Sequence, residues 1–420
     1  MFKIILFFIF IAFYSSIFAT NKPYSFEELQ SIAYKNNANL KSAHLKWKAS
    51  SENINIESSL PDPVISYNEF IEKVQTRTGS QVRKFSLKQQ IPWFNTISTK
   101  TNIASLISNI YELEVSIEKI NITQSLKNEL SNLILIDKKI KINEESIRVF
   151  NDLEKSLKER INITNKNLTH ILQIQIDSEL LKNNIETLAL SKKPILKKIE
   201  RIIGDRLYRR IPLNLKKTTI NFEKSKLTDY FHQHNPSWNK HLTLESIAKY
   251  NNKLASLKNK PTFNFGYNWI QTTPSKISNP HRNGKDPSSV TFSMSIPIWK
   301  AKKKARLNKA KLELEETISL RKAVIDRFKQ NIEKELFNIQ SSKRKNLLYT
   351  KKLLPRAIDA YKSAKISYEA GELSLQEIYD SYQLILKLKL NFEINNNLLM
   401  KAGFNLEKLI GFTGDSDYEK

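Results

Sequence analysis

The chain repeats its own plan. Pro61–Tyr67 (PDPVISY) returns as Pro261–Tyr267 (PTFNFGY), Gln90-Ile91-Pro92 returns as Ser295-Ile296-Pro297, and Ile199–Gly204 (IERIIG) returns as Leu406–Gly411 (LEKLIG). The spacing stays near ~200 residues from one end to the other, which marks a duplicated unit with small insertions and is far too long for a solenoid module. Each copy reads as a helix, two alternating strands, a very long helix, a turn, and a return helix that closes on glycine. The boundaries follow: a first repeat over 20–204, a linker over 205–224, a second repeat over 225–411 and a tail over 412–420. The strand pairs fall at about 62–72 and 82–91, then at about 261–271 and 288–298; the helical hairpins fall at about 95–203 and 300–410.

Lys3 precedes an apolar run from Ile4 to Phe18 that ends at Ala19-Thr20. A charged start, an apolar core and a small residue make residues 1–19 a secretory signal peptide, with an N-terminal anchor as the alternative. The chain has no Cys, so neither disulfides nor lipid attachment to an N-terminal Cys can hold it. No later stretch approaches the ~18 uninterrupted apolar residues of a membrane helix. If the chain enters a bilayer, it does so by strands.

Only 8 glycines in 420 residues fit long unbroken helices better than a loop-rich enzyme. Lys and Arg number 68 against 42 Asp and Glu, a net charge of +26, which alone would suggest nucleic acid or an anionic membrane. The cluster Lys302, Lys303, Lys304, Arg306, Lys309 and Lys311 looks most like a nucleic-acid arm. Export separates it from nucleic acid, and basic residues beside a strand end can instead meet anionic lipid headgroups or be solvated.

From Thr96 to Ile161 there is neither Pro nor Gly; a helix of that span is on the order of 100 Å long. In the second repeat Leu307, Leu314, Ile318, Ile325, Phe328, Ile332 and Leu336 form a coiled-coil seam. Its return partner carries Ile378, Tyr382, Ile385, Phe392, Leu399 and Leu406. Pro355 and Pro194 should kink their helices. Between the long helices, Gly371 supplies a left-handed residue and Ser374 opens the next helix. The matching Asn162–Asn167 stretch of the first repeat uses asparagine for the same purpose.

The strands alternate. Phe263, Phe265, Tyr267 and Trp269 interleave with Thr262, Asn264, Gly266 and Asn268, and Phe292, Met294, Ile296 and Ile298 interleave with Thr291, Ser293 and Ser295. The first copy is less tidy, because Glu69 and Gln89 fall on its apolar face. One apolar face over about ten residues suits the wall of a transmembrane β-barrel, with Trp93 and Trp299 at the lipid interface; a soluble sandwich is the alternative. Four strands cannot close a barrel, and open edges facing hydrocarbon would cost several kcal/mol per orphaned group. Two copies would give eight strands and a filled interior. Three copies give twelve strands, hence a homotrimer.

Three pieces carry a likeness to a known family: Tyr368-x-x-Gly371 followed by Glu377 and Asp380, the closing Leu409-Ile410-Gly411, and Thr76–Trp93 (TRTGSQVRKFSLKQQIPW). The whole mature chain resembles the TolC-like outer-membrane efflux proteins, and Thr76–Trp93, with its Gly-x-Gln and Gln-x-x-Pro-Trp, is similar to their heavy-metal branch. The resemblance implies a mainly α fold with a β-barrel part: a trimeric 12-stranded barrel in the Gram-negative outer membrane, continued by a periplasmic α-helical barrel. It implies a passive exit duct docked to a periplasmic adaptor and to an inner-membrane pump of the resistance-nodulation-division or ABC type. Substrates would be metal cations or small molecules; a type I protein secretion channel is the alternative, and an exported coiled-coil structural protein a more distant one.

By the same resemblance Glu377, Asp380 and Tyr368 constrict the pore, and Gly371, Leu373, Ser374, Asn165, Asn167 and Leu168 form the tip that meets the adaptor. Glu377 and Asp380 lie three apart and so share one helical face; their first-repeat counterparts, His170 and Gln173, are not acidic. Drug-efflux members of the family often carry a basic residue where Leu373 stands, so no salt-bridge lock is expected there. No cofactor, resident metal or catalytic residue is expected. His232 and His234 do not share a helical face with each other, Pro236 separates them from His241, and nothing brings a nucleophile to a base.

Overall fold

A computed structural model gives the fold and describes residues 22–159, 165–212, 214–215, 224–277 and 280–412. The signal peptide assigned to 1–19, the apex of the first hairpin at 160–164 and the tail from 413 lie outside the described residues. The order is α1 (Phe26–Asn36), α2 (Ala38–Ser58), β1 (Val64–Thr76), β2 (Gly79–Ile91), α3 (Thr96–Glu159) and α4 (Asn165–Ile203). It then repeats as α5 (Lys224–His234), α6 (Pro236–Leu257), β3 (Thr262–Thr273), β4 (Ser288–Ser295), α7 (Lys300–Leu348), α8 (Leu354–Glu369) and α9 (Leu375–Ile410).

One element breaks the parallel. Between α7 and α8 the chain makes a π-helical turn over Tyr349–Leu353, in which the Leu354 N–H donates to the Tyr349 carbonyl. Pro355 causes it: its ring lacks an N–H and collides with a carbonyl four residues back, so the helix widens instead of stopping. The kink expected at Pro355 is therefore taken up one turn earlier. Pro194 lies inside α4, which continues through it from Asn165 to Ile203.

The compact units divide the chain differently from the duplication. A sheet unit comprises Ala43–Val115 and Pro236–Ile325, and a helical unit lies within Met1–Ser42, Ser116–Asn235 and Asp326–Lys420. Each therefore draws on both repeats.

In the sheet unit the four strands form an antiparallel meander ordered β1-β2-β3-β4. The join between repeats is the β2–β3 ladder, which pairs Leu87 with Tyr267, Phe85 with Trp269 and Ile91 with Phe263. The first hairpin is longer than its alternation indicated, since β1 and β2 continue to a turn at Arg77-Thr78. Gly79 makes this possible: its φ is +128°, and a Cβ there would fall 1.7 Å from the Thr273 carbonyl oxygen. β4 ends early, at Ser295 rather than 298, because Pro297 has no N–H for the ladder.

In the helical unit, α3, α4, α8 and α9 bury one shared cluster. Phe150, Ile174, Ile378 and Tyr382 lie within it, beside Ala357, Ala364 and Leu375. The Phe150 ring stands 5.4 Å from Tyr379 and edge-on to Tyr382 at 5.9 Å, geometry that adds ~0.5–1.5 kcal/mol per pair beyond area burial.

At the other end of the helical hairpins the duplication becomes a device. Buried Asn37 donates from Nδ2 to the Ile202 carbonyl at 2.8 Å, and buried Asn235 does the same to Leu409 at 2.8 Å. Each Asn satisfies a last-turn carbonyl that the helix itself leaves orphaned. Gly204 and Gly411 then close α4 and α9 with φ of +70° and +86°. A Cβ on Gly204 would lie 2.4 Å from the Asn36 carbonyl oxygen.

Candidate functional site

The second-repeat tip is built by two caps. α8 ends in a Schellman turn: the Glu372 N–H donates to the Ser367 carbonyl at 2.8 Å and the Gly371 N–H to the Tyr368 carbonyl at 3.0 Å. Gly371 has φ +82°, and a Cβ there would meet nothing within 4 Å. Its need for glycine is conformational, and its surroundings are open. Three residues on, Glu377 Oε2 accepts from the Ser374 N–H at 2.8 Å and from the Ser374 hydroxyl at 2.9 Å. Glu377 therefore has a structural task, the return half of a capping box, which the Ser-x-x-Glu spacing could have announced.

Glu377 and Asp380 are both exposed, while Leu375, Ile378 and Tyr379 turn inward to the buried cluster. The shared face expected from their spacing is therefore present and uncovered in the single chain. Asp380 is held from its own helix, accepting from Gln376 Nε2 at 2.9 Å. Tyr368 and Leu373 differ from the other tip residues: both pack partly against the core cluster. Their side chains brace the turn, while Gly371 and Ser374 face outward. In the first repeat, Leu168 is exposed; Asn165 opens α4 with Asn167 two residues on, and the side chains of both lie outside the described residues.

Near this tip Glu154 ties the first hairpin together. It accepts from Lys158 Nζ at 2.6 Å and, across the hairpin, from Gln175 Nε2 at 2.6 Å. The Lys158 bond, followed by that from Gln175, holds its carboxyl below the usual glutamate range.

The sheet carries a second candidate surface. Ladder register puts Ile65, Tyr67, Phe85, Leu87, Phe263, Phe265, Tyr267, Val290, Phe292 and Met294 on one face. The opposite face bears Ser66, Asn68, Ser86, Lys88, Asn264, Asn268, Thr291 and Ser293. The apolar face is uncovered: Val290 is 80% exposed and Ile65 77%. Such a contiguous patch marks an interaction or membrane surface. The two residues that spoiled the alternation are accommodated. Glu69 stands opposite Arg83, 3.7 Å from its Nε, and also accepts from the Tyr67 hydroxyl; Gln89 donates to the Pro61 carbonyl at 2.7 Å.

Trp93 and Trp299 follow the strand ends differently. Trp93 stacks on Phe263 at 5.8 Å and meets Phe94 edge-on, whereas Trp299 is 68% exposed. Among the described residues no helix is long and apolar enough to cross a membrane, and no three His, Asp or Glu converge as metal ligands.

No family model matches the sequence, and no curated protein does. Solved structures match along nearly the whole chain. The open-state MtrE outer membrane channel of Neisseria gonorrhoeae agrees with a TM-score of 0.77 at 13% identity, over 94% of this chain and 91% of that one. The Campylobacter jejuni CmeC outer membrane channel agrees at 0.72 and 15%, over 94% and 87%. VceC of Vibrio cholerae, an outer membrane protein, agrees at 0.75 and 12%, over 93% and 97%. The chain has the TolC-like outer-membrane channel fold. The resemblance carried by Tyr368-x-x-Gly371 and the closing Leu409-Ile410-Gly411 is thus borne out as fold: mostly helix, with one small antiparallel sheet.

Proposed function

We propose that the chain is one subunit of a passive exit duct in the outer membrane of a Gram-negative bacterium. The observation that carries this reading is the sheet: a bare apolar face, a polar opposite face, and two unpaired edges at β1 and β4. Hydrocarbon would satisfy the first, a water-filled lumen the second, and neighbouring subunits the third. Three subunits would close a twelve-stranded barrel and set their helical hairpins around one duct. The fold shared with outer-membrane channels supports the same arrangement.

In the duct the tip is the gate. Three copies of the exposed Glu377 and Asp380 would place six carboxylates around one mouth, which would draw cations. Opening would splay the second hairpins, with a periplasmic adaptor entering beside Gly371, Ser374 and Leu168, and with Tyr368 and Leu373 bracing the turn. An inner-membrane pump of the resistance-nodulation-division or ABC type would supply the energy. The cargo would be small molecules or metal cations.

Planar-bilayer conductance tests the gate. Glu377→Gln with Asp380→Asn keeps the capping acceptor at 377 and an amide acceptor for Gln376 at 380, and should lower the cation-to-anion permeability ratio; an unchanged ratio removes the carboxylates from the pore.

A further inference from the structure

Positive charge is concentrated where β4 gives way to α7. Lys300, Lys302 and Lys304 are exposed and Lys303 half-buried, and among the described residues none has a carboxylate within 4 Å. The next two lysines along α7 are different: Lys309 and Lys311 have Glu313 at 3.6 Å and Glu315 at 3.8 Å. Four cations at the start of a helix run against its dipole, which favours anions there. The first turns of α7 contain no acidic residue to offset them.

The corner is built, not frayed. Arg306 Nη1 donates to the Lys258 carbonyl at 2.6 Å and to Asn259 Oδ1 at 2.7 Å, and Asn259 Nδ2 donates to the Lys303 carbonyl at 3.3 Å. The α6–β3 turn, with exposed Lys258 and Lys260, is thereby tied to the start of α7, and six lysines share one corner. Just ahead of them Ile296, Ile298 and Trp299 are all exposed. The sequence of surfaces is apolar strand, exposed indole, then lysine: the order of hydrocarbon, interface and phosphate across one side of a bilayer. The matching corner of the first repeat carries Ser58 and Leu60 when aligned on Pro61, and Phe94, Thr96, Ile97 and Ser98 when aligned on Trp93. It offers no such charge.

We propose that this corner holds the phosphate headgroups of anionic phospholipids in the leaflet on the helix side of the sheet. The inference rests on the outer-membrane reading above. The test is native mass spectrometry of the full chain in detergent, titrated with dioleoylphosphatidylglycerol and separately with dioleoylphosphatidylcholine. Lys300→Gln, Lys302→Gln, Lys303→Gln and Lys304→Gln together should weaken phosphatidylglycerol binding by about tenfold or more and leave phosphatidylcholine binding unchanged. A control removing the same charge at Lys351, Lys352, Lys362 and Lys365 should bind both lipids like the original chain. Raising ionic strength should weaken phosphatidylglycerol binding to the unaltered chain as well. Equal binding of the two lipids, salt-insensitive binding, or a fourfold variant that keeps the preference would each overturn the proposal. The same spectra report the subunit count: a trimer without lipid preference sinks this inference alone, and a monomer sinks the duct reading with it.

Discussion

Asn37 and Asn235 perform one task in the two repeats, whereas Trp93 and Trp299 perform two. Each Asn reaches from the start of its second helix to the last turn of the return helix, at the same 2.8 Å, and each return helix then ends on a left-handed glycine. Where the strands meet the helices the copies part. Trp93 is stacked beneath Phe263 in a corner without the lysine cluster, while Trp299 stands exposed at the edge of six lysines. The outgoing helices also differ, α3 running unbroken and α7 passing through a π turn into α8. Helix closure admits few solutions, and both copies retain the same one; the outward corners differ between the copies.

The largest effect should come from a position where the repeats differ in burial. Glu407 is buried and bonded to Lys127 at 2.6 Å, with the ammonium within 5.5 Å of the Phe26 and Phe404 rings. Its first-repeat counterpart, Glu200, bonds the exposed Lys197 of its own helix at 2.6 Å. Lys127→Met should cost about 3–5 kcal/mol, because it takes the ammonium away from a buried carboxylate, and Lys197→Met far less. Denaturant unfolding of both variants checks this; similar losses would mean that burial does not separate the two pairs.

Glycines come next. Gly204→Ala combines left-handed strain of ~1–2 kcal/mol with a Cβ placed against the Asn36 carbonyl, so its cost should exceed that strain. Gly371→Ala meets open space and should show only the strain. Thermal unfolding ranks them, and a reversed order would show the tip to be the more tightly packed of the two turns.

The smallest effect concerns pH. Glu200 is held below the usual glutamate range first by the Lys197 bond and then by the Leu207 N–H. A carboxyl whose folded pKa is depressed contributes stability above its unfolded pKa and loses it as pH falls through the folded value. Glu200→Gln should therefore be slightly less stable than the original chain at pH 7 and equal to it under strong acid. A difference that persists in acid would assign the effect to something other than charge.

Much of this was legible in the sequence. The repeat fixed the element order, the alternation placed the strands, and the tip glycine sat where the spacing put it. Four features escaped. Alternation does not specify strand partners, so the β2–β3 ladder and the Glu69–Arg83 pair appear only once register is known. A proline tells of disruption without choosing between a kink and a π turn. Glu377 was read from its place beside Asp380, although Ser374 three residues earlier already marked it as a cap; Leu373, assigned to the outer tip, is drawn inward by the apolar cluster beneath it.

The account stands on the sheet being a fragment of a closed wall. Native mass of membrane-extracted protein measures this most directly. A species of three chains that forms conducting pores in a planar bilayer is the predicted result; a stable single chain that needs no detergent would contradict it.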